Sequence, residues 1–106
     1  MRFIYRKVRH PASGFAVVGI AVGLRLEHGV VAEVCIGVTG AANHAFAGQQ
    51  AVDFLNGKPL SPGNIDKAAQ LLSESTECLS DRYASAEYRS NLIRIETRRA
   101  LIALSS

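Results

Sequence analysis

Between Phe15 and Thr39, apolar side chains recur at every second position in two successive runs. In FAVVGIAVGLRLE the even positions are Val18, Ile20, Val22, Leu24 and Leu26, and the odd ones include Gly19, Ala21, Gly23, Arg25 and Glu27. In VVAEVCIGVT the even set is Val30, Ala32, Val34, Ile36 and Val38, against Glu33, Gly37 and Thr39. A period of two marks a strand with one buried face, so the stretch reads as a β-hairpin. A two-residue loop at His28-Gly29 would pair Leu24 with Glu33 and put a carboxylate on the apolar face. A three-residue loop, Glu27-His28-Gly29, pairs Leu26 with Val30, Leu24 with Ala32, Val22 with Val34 and Ile20 with Ile36, with Gly29 left-handed. A one-residue slip would turn the whole apolar set to solvent, so the pattern selects the three-residue loop.

The flanks supply a further strand and three helices. Phe3 to Val8 carries β-formers and reads as a short edge strand whose Arg and Lys deter aggregation. His10 to Gly14 is a break, and a short strand is expected around Asn43 to Phe46. Ala47 to Asn56 has helical spacing at Ala47, Ala51, Phe54 and Leu55, with Gly57 just past its end. Ser61 is an N-cap with Pro62 at the first helical position, and Leu60 and Ile65 are spaced as a hydrophobic staple. That helix continues through Ile65, Ala68, Ala69 and Leu72 to about Ser75. A loop spans Thr76 to Ala84. Ser85 caps a last helix with Glu87 in its first turn; its apolar stripe is Tyr88, Leu92, Ile95 and Ile102, widened by Ile93, Ala100, Leu101 and Leu104. Strands first and helices after define an α+β class: a small antiparallel sheet of three to four strands followed by three helices packed on one face.

At 106 residues the chain suffices for one core, and residues 1–106 read as one domain. Its apolar content argues against disorder. The net charge of +3 is concentrated at the two ends, in Arg2, Arg6, Lys7 and Arg9 and in Arg89, Arg94, Arg98 and Arg99. These ends read first as a solvated face. Nucleic-acid binding is disfavoured, because no aromatics are interleaved with the basic residues along one strand face. Cys35, in a strand, reads as a small buried hydrophobe, and the chain as cytoplasmic, soluble and free of disulfides. No segment has the apolar length of a membrane span. His10, His28 and His44 lie in separate breaks and do not converge as metal ligands, and no GxSxG elbow is present. Gly37-Val38-Thr39-Gly40 lacks the lysine of a phosphate loop and reads as close strand packing and a chain reversal. Asp81-Arg82-Tyr83 and Glu87-Tyr88-Arg89 read as capping and surface ion pairs. The residues by themselves describe an α+β domain with no self-contained active site.

The order of landmarks resembles a known family. Tyr5-Arg6-Lys7 is similar to a Tyr-x-Lys opening strand, and Gly14-Phe15-Ala16-Val17-Val18-Gly19 to an aromatic-Ala start of a first hairpin arm. Cys35-Ile36-Gly37-Val38-Thr39-Gly40 resembles the end of the second arm, and Phe54-Leu55-Asn56-Gly57-Lys58-Pro59-Leu60 a helix–helix junction. The run from Asp81 to Arg89 resembles the start of a last helix, with Arg99-Ala100-Leu101 near its end. Together they resemble the C-terminal domain of the FAD-binding medium subunit of molybdenum hydroxylases, of the carbon monoxide dehydrogenase and xanthine dehydrogenase type.

That resemblance implies part of an oxidoreductase, inactive as an isolated domain, in which electrons pass from molybdenum through iron–sulfur clusters to FAD. It implies FAD in the complete subunit, held largely by two preceding domains that this sequence lacks. The implied partners are those FAD-binding N-terminal domains, a molybdenum-containing large subunit and an iron–sulfur small subunit, with no nucleic acid. It also implies two cofactor-facing residues: Lys7, matching a strand lysine near the flavin, and Phe15, matching an aromatic position by the ring face. A cation there would stabilise negative charge on the reduced ring, and an aromatic would stack on it. Two stretches depart from the family pattern: no Asp occurs in His10 to Phe15, and Asn43 to Ala47 lacks a Pro-Arg pair. The competing expectation is a small non-catalytic interaction module, holding a partner or a second copy of itself through the sheet edge or the last helix.

Overall fold

Alternation decides which way the sheet faces. In the computed structural model, which describes residues 1–9, 16–40, 46–76, 78 and 85–105, Val18, Ile20, Val22 and Leu24 are almost completely buried. Each such side chain contributes roughly 1.5–3 kcal/mol by leaving water, more than strand propensity can supply. The strands are β1 (Arg2–Arg9), β2 (Ala16–Glu27), β3 (Val30–Thr39) and the short β4 (Phe46–Ala47), antiparallel and in that spatial order. The helices α1 (Gln49–Leu55), α2 (Pro62–Ser75) and α3 (Ala86–Leu104) follow. α3 packs on β1 and β2, α1 packs on β3, and α2 packs against both other helices. The α+β layering expected from the pattern is what the chain adopts, and the other face of the sheet carries no helix among the described residues.

The hairpin register differs from expectation, and the reason is local. The loop has two residues, not three: Glu27 pairs with Val30, and both His28 (φ 56°) and Gly29 (φ 79°) are left-handed. That is the twist a two-residue hairpin needs. The parity conflict with Glu33 is removed one step later by an irregularity between Arg25 and Leu26, where Ala32 is left without a partner. Beyond this bulge Arg25 pairs with Glu33, Leu24 with Val34, Val22 with Ile36 and Ile20 with Val38. The buried residues of β3 are therefore Val31, Val34, Ile36 and Val38, with Val31 in the place expected for Val30 and Ala32. A bulge adds one residue to one strand and restores the alternation without lengthening the loop.

Both edges of the sheet are managed. On the β3 side, Gly57 N donates to Val31 O (2.9 Å) and Val31 N donates to Lys58 O (2.9 Å), so the link between α1 and α2 covers the edge β4 does not reach. Gly57 is left-handed (φ 80°), as a residue just past a helix end should be. On the other side β1 is an edge strand, as its charges suggested, but only some of them are solvated. Arg6 turns to the helix side, where its Nε donates to Glu96 Oε2 (2.8 Å), and Arg99 Nη1 donates to the other oxygen (3.0 Å).

The helices begin largely as read. Ser61 Oγ accepts from Asn64 N (3.3 Å), and Ser85 Oγ accepts from Tyr88 N (3.0 Å). α1 starts later than expected, because Ala47 pairs with Gly37 as part of β4. α3 buries a different stripe from the one expected: Arg89, Ile93, Glu96, Thr97, Ala100, Leu101 and Leu104 face inward. Tyr88 and Ile102 are exposed, and Leu92 and Ile95 are half-buried. The true stripe runs through three polar residues, which a reading by hydrophobicity passes over. Arg89 is buried, 4% exposed, and so does not lie at the surface as expected; Asp81-Arg82-Tyr83 lies outside the described residues.

Candidate functional site

The helix-free face of the sheet is built from the odd positions of three strands. Antiparallel register lines them up in rows: Lys7, Gly19 and Thr39; Tyr5, Ala21 and Gly37; Phe3, Gly23 and Cys35. A fourth row, Arg25 with Glu33, closes the hairpin end. Arg25 Nη2 donates to Glu33 (3.1 Å) and Nη1 to Glu27, and these hydrogen bonds, Glu33's first, raise the guanidinium above its ordinary range. The face is therefore graded, from an ion-pair cluster at the loop, through an aromatic middle, to a lysine and two hydroxyls at the far end.

Glycine makes the aromatic middle possible. A Cβ built on Gly23 would lie 2.5 Å from Phe3 Cε1 and 2.7 Å from Cys35 Sγ. The Phe3 ring occupies the space a side chain would fill, as aromatics commonly do beside strand glycines. Phe3 nevertheless remains 70% exposed and Tyr5 53% exposed, so the two rings present their outer surfaces to whatever meets this face. Cys35 also stands here, exposed, and not in the core as its strand position suggested. Its odd number placed it on the outer face once Val34 and Ile36 faced inward. Gly37 has open space where a Cβ would be, so its glycine is not explained by close strand packing, whereas Gly40 (φ 77°) does sit in a left-handed turn.

Lys7 is exposed on this face, and its ammonium has no hydrogen bond or ion pair among the described residues. Its neighbour Arg6 points to the opposite side and is held by the buried Glu96 carboxylate, which fixes β1 against α3. Phe15, the second residue singled out from the sequence, lies outside the described residues; Ala16, next to it, pairs with Arg9 at the Lys7 end of the sheet. Tyr5 and Thr39 belong to landmarks of the sequence but are not among its candidate site residues. Tyr5 shares the parity of Lys7, which could have found it. Thr39 could not be placed beside Lys7 until the bulge shifted the register of β3.

Other polar features of the described residues have structural roles. A groove of about 370 Å³ between α2 and α3 is lined by Asp66, Ala69, Gln70, Arg94, Ile95 and Arg98. The Arg98–Asp66 ion pair (2.8 Å) spans it. Cys78 has its thiol pushed up by burial, with Arg89 opposing, the reverse of an activated thiolate. Among the described residues no three His, Cys, Asp or Glu gather as a metal site. No helix of these residues is long and apolar enough to cross a membrane.

The described residues form an α+β domain whose open sheet face carries aromatics and an exposed lysine, with no enclosed catalytic centre among them. Residues 3–104 match the CO dehydrogenase flavoprotein C-terminal domain, and the chain belongs to that family. It is 30% identical over 98 residues to the nicotine 6-hydroxylase medium subunit of Paenarthrobacter nicotinovorans, a match covering 92% of this chain and 35% of that protein. It is 30% identical over 99 residues to the carbon monoxide dehydrogenase medium chain of Afipia carboxidovorans, covering 93% and 34%. A crystal structure of carbon monoxide dehydrogenase from Hydrogenophaga pseudoflava superposes with a TM-score of 0.89 at 27% identity, covering 95% of this chain and 35% of that one. The chain spans about a third of the length of these relatives.

Proposed function

We propose that the chain acts as the C-terminal domain of the FAD-binding medium subunit of a molybdenum hydroxylase, and that its helix-free sheet face covers the flavin. The observation that carries this is the Lys7 ammonium, without a partner among the described residues and exposed on the sheet face that no described helix covers, in a chain of a flavoprotein domain family. A cation fixed on a rigid strand beside a flavin favours the negative charge the ring acquires on reduction. FAD, when bound, supplies the two-electron chemistry. The chain's own residues hold Lys7 in place through the Arg6–Glu96–Arg99 anchor of β1 and exclude water with Phe3 and Tyr5. The residues present fit the group: the face is flat where Ala21 and Gly37 stand, and nothing among the described residues neutralises Lys7. Phe15 is the second proposed flavin neighbour, on its match to the family's aromatic position.

The partners of this reading are the FAD-binding domains of the same subunit, a molybdenum-bearing large subunit and an iron–sulfur small subunit. The isolated chain would not catalyse. We place the complex in the cytoplasm, where the two cysteines, both unpaired here, would stay reduced. The test is a flavin absorbance spectrum of the complete medium subunit with and without Lys7→Ala. A displaced flavin band and a lowered midpoint potential support the reading. An unchanged spectrum and potential would leave this domain a subunit-contact module.

A further inference from the structure

Lys7 does not stand alone at its end of the sheet. It is the register partner of Gly19, and Gly19 is the register partner of Thr39. Tyr5, two residues before Lys7 on the same strand, leans diagonally across, so that its hydroxyl lies over Gly19. A Cβ built there would collide with Tyr5 Oη and lie 2.6 Å from Thr39 Oγ1. Both oxygens border the same small space, no farther apart than the sum of those two short distances. Neither hydroxyl has a hydrogen-bond partner among the described residues. Two hydroxyls, from β1 and β3, thus border a gap kept open on β2 by a glycine, in the same register row as Lys7. All three side chains are exposed on the helix-free face.

A phenol and a secondary hydroxyl at one gap, in the row of an exposed lysine, suit a planar group rich in carbonyl oxygens that takes up negative charge. Resting on the flavin reading above, we infer that Tyr5 Oη and Thr39 Oγ1 act with Lys7 to bind the carbonyl-bearing pyrimidine edge of the isoalloxazine. Gly19 is the vacancy that lets the Tyr5 hydroxyl reach it. Hydrogen bonds to a group strengthen as that group becomes charged. The two hydroxyls therefore hold the reduced ring more tightly than the oxidised one, and they raise its potential in the same direction as Lys7 does.

The experiment uses the complete medium subunit loaded with FAD and compares Tyr5→Phe, Thr39→Val, Gly19→Ala and Lys7→Ala. The readouts are the two-electron midpoint potential by dye equilibration and the dissociation constants of oxidised and reduced FAD. Tyr5→Phe keeps the ring over Gly19 and removes only the hydroxyl. We expect Tyr5→Phe and Thr39→Val each to weaken reduced relative to oxidised FAD three- to tenfold, the tenfold limit corresponding to a fall of about 30 mV. Gly19→Ala removes no donor but displaces both hydroxyls, and it should lower the potential at least as far as Tyr5→Phe does. If Lys7→Ala lowers the potential while Tyr5→Phe and Thr39→Val leave it unchanged, the hydroxyl pair has no part in flavin binding and the inference fails alone. If none of the four variants alters potential or affinity, the flavin reading fails and takes the inference with it.

Discussion

Thr97 carries an uncompensated cost within the core. It is fully buried on α3, and its Oγ1 has no hydrogen-bond partner among the described residues. A buried hydroxyl left unpaired forfeits its hydration and gains nothing in return, typically about 1–3 kcal/mol. Valine has the same branched shape and a helix propensity close to that of threonine. Thr97→Val is therefore expected to stabilise the chain by about 1 kcal/mol, read as a higher urea midpoint with an unchanged m-value. A loss of stability would mean that the hydroxyl is satisfied in solution, by a water or by the carbonyl one turn earlier. Glu96, one residue before it, shows the opposite arrangement. Its carboxylate is nearly buried but receives Arg6 and Arg99 on its two oxygens, so a charge of similar depth is compensated while a neutral hydroxyl is not.

Among the elements, the β2–β3 hairpin makes the strongest demand on its sequence. With a two-residue turn, regular pairing would set Leu24 against Glu33; the unpaired Ala32 moves every later pair by one and saves the inward face. Removing Ala32 should then be tolerated. Val31 would stay opposite Leu26, Glu33 opposite Arg25 and Val34 opposite Leu24, now without the irregularity. Deleting Cys35, by contrast, would turn Ile36 and Val38 outward. Thermal unfolding should show the Ala32 deletion within about 1 kcal/mol of the parent and the Cys35 deletion unfolded, since two inward side chains at roughly 1.5–3 kcal/mol each would be lost. This hairpin also shows what the sequence could reveal. Period two identified both strands and their inner faces, and Ser61-Pro62 marked the start of α2, because those signals are local. The bulge was hidden because a longer loop and an extra residue solve the same parity problem. The inward face of α3 was hidden because Arg89, Glu96 and Thr97 lie on it; Glu96 is there for Arg6, a partner 90 residues away that no periodicity reveals. Lys7 was identified by resemblance, and Thr39 could be set beside it only with the true register.

For the molecule as a whole, the question is what meets the open face. Helices cover one side of the sheet, and the other presents Phe3 and Tyr5, two of the largest exposed apolar side chains described. A clustered apolar surface of this kind usually marks a contact. The chain spans about a third of the length of its relatives, and on the function proposed above the occupant of this face is the flavin-binding part of the subunit. If those domains dock here, Phe3 passes from 70% exposed to buried, a gain of roughly 1.5–3 kcal/mol, or at least tenfold in affinity. Phe3→Ser should then change the stability of this chain by less than about 1 kcal/mol, since its ring covers little beyond Gly23. In a calorimetric titration with separately produced FAD-binding domains, the same substitution should weaken association about tenfold or more. Ile102, 45% exposed on α3 at the far side of the molecule, supplies the contrast: Ile102→Ser should leave that titration unchanged. Were the two results exchanged, the helix layer would be the docking surface. Lys7, Tyr5 and Thr39 would then face solvent in the assembled subunit, and a flavin role for the open sheet face would have no physical basis.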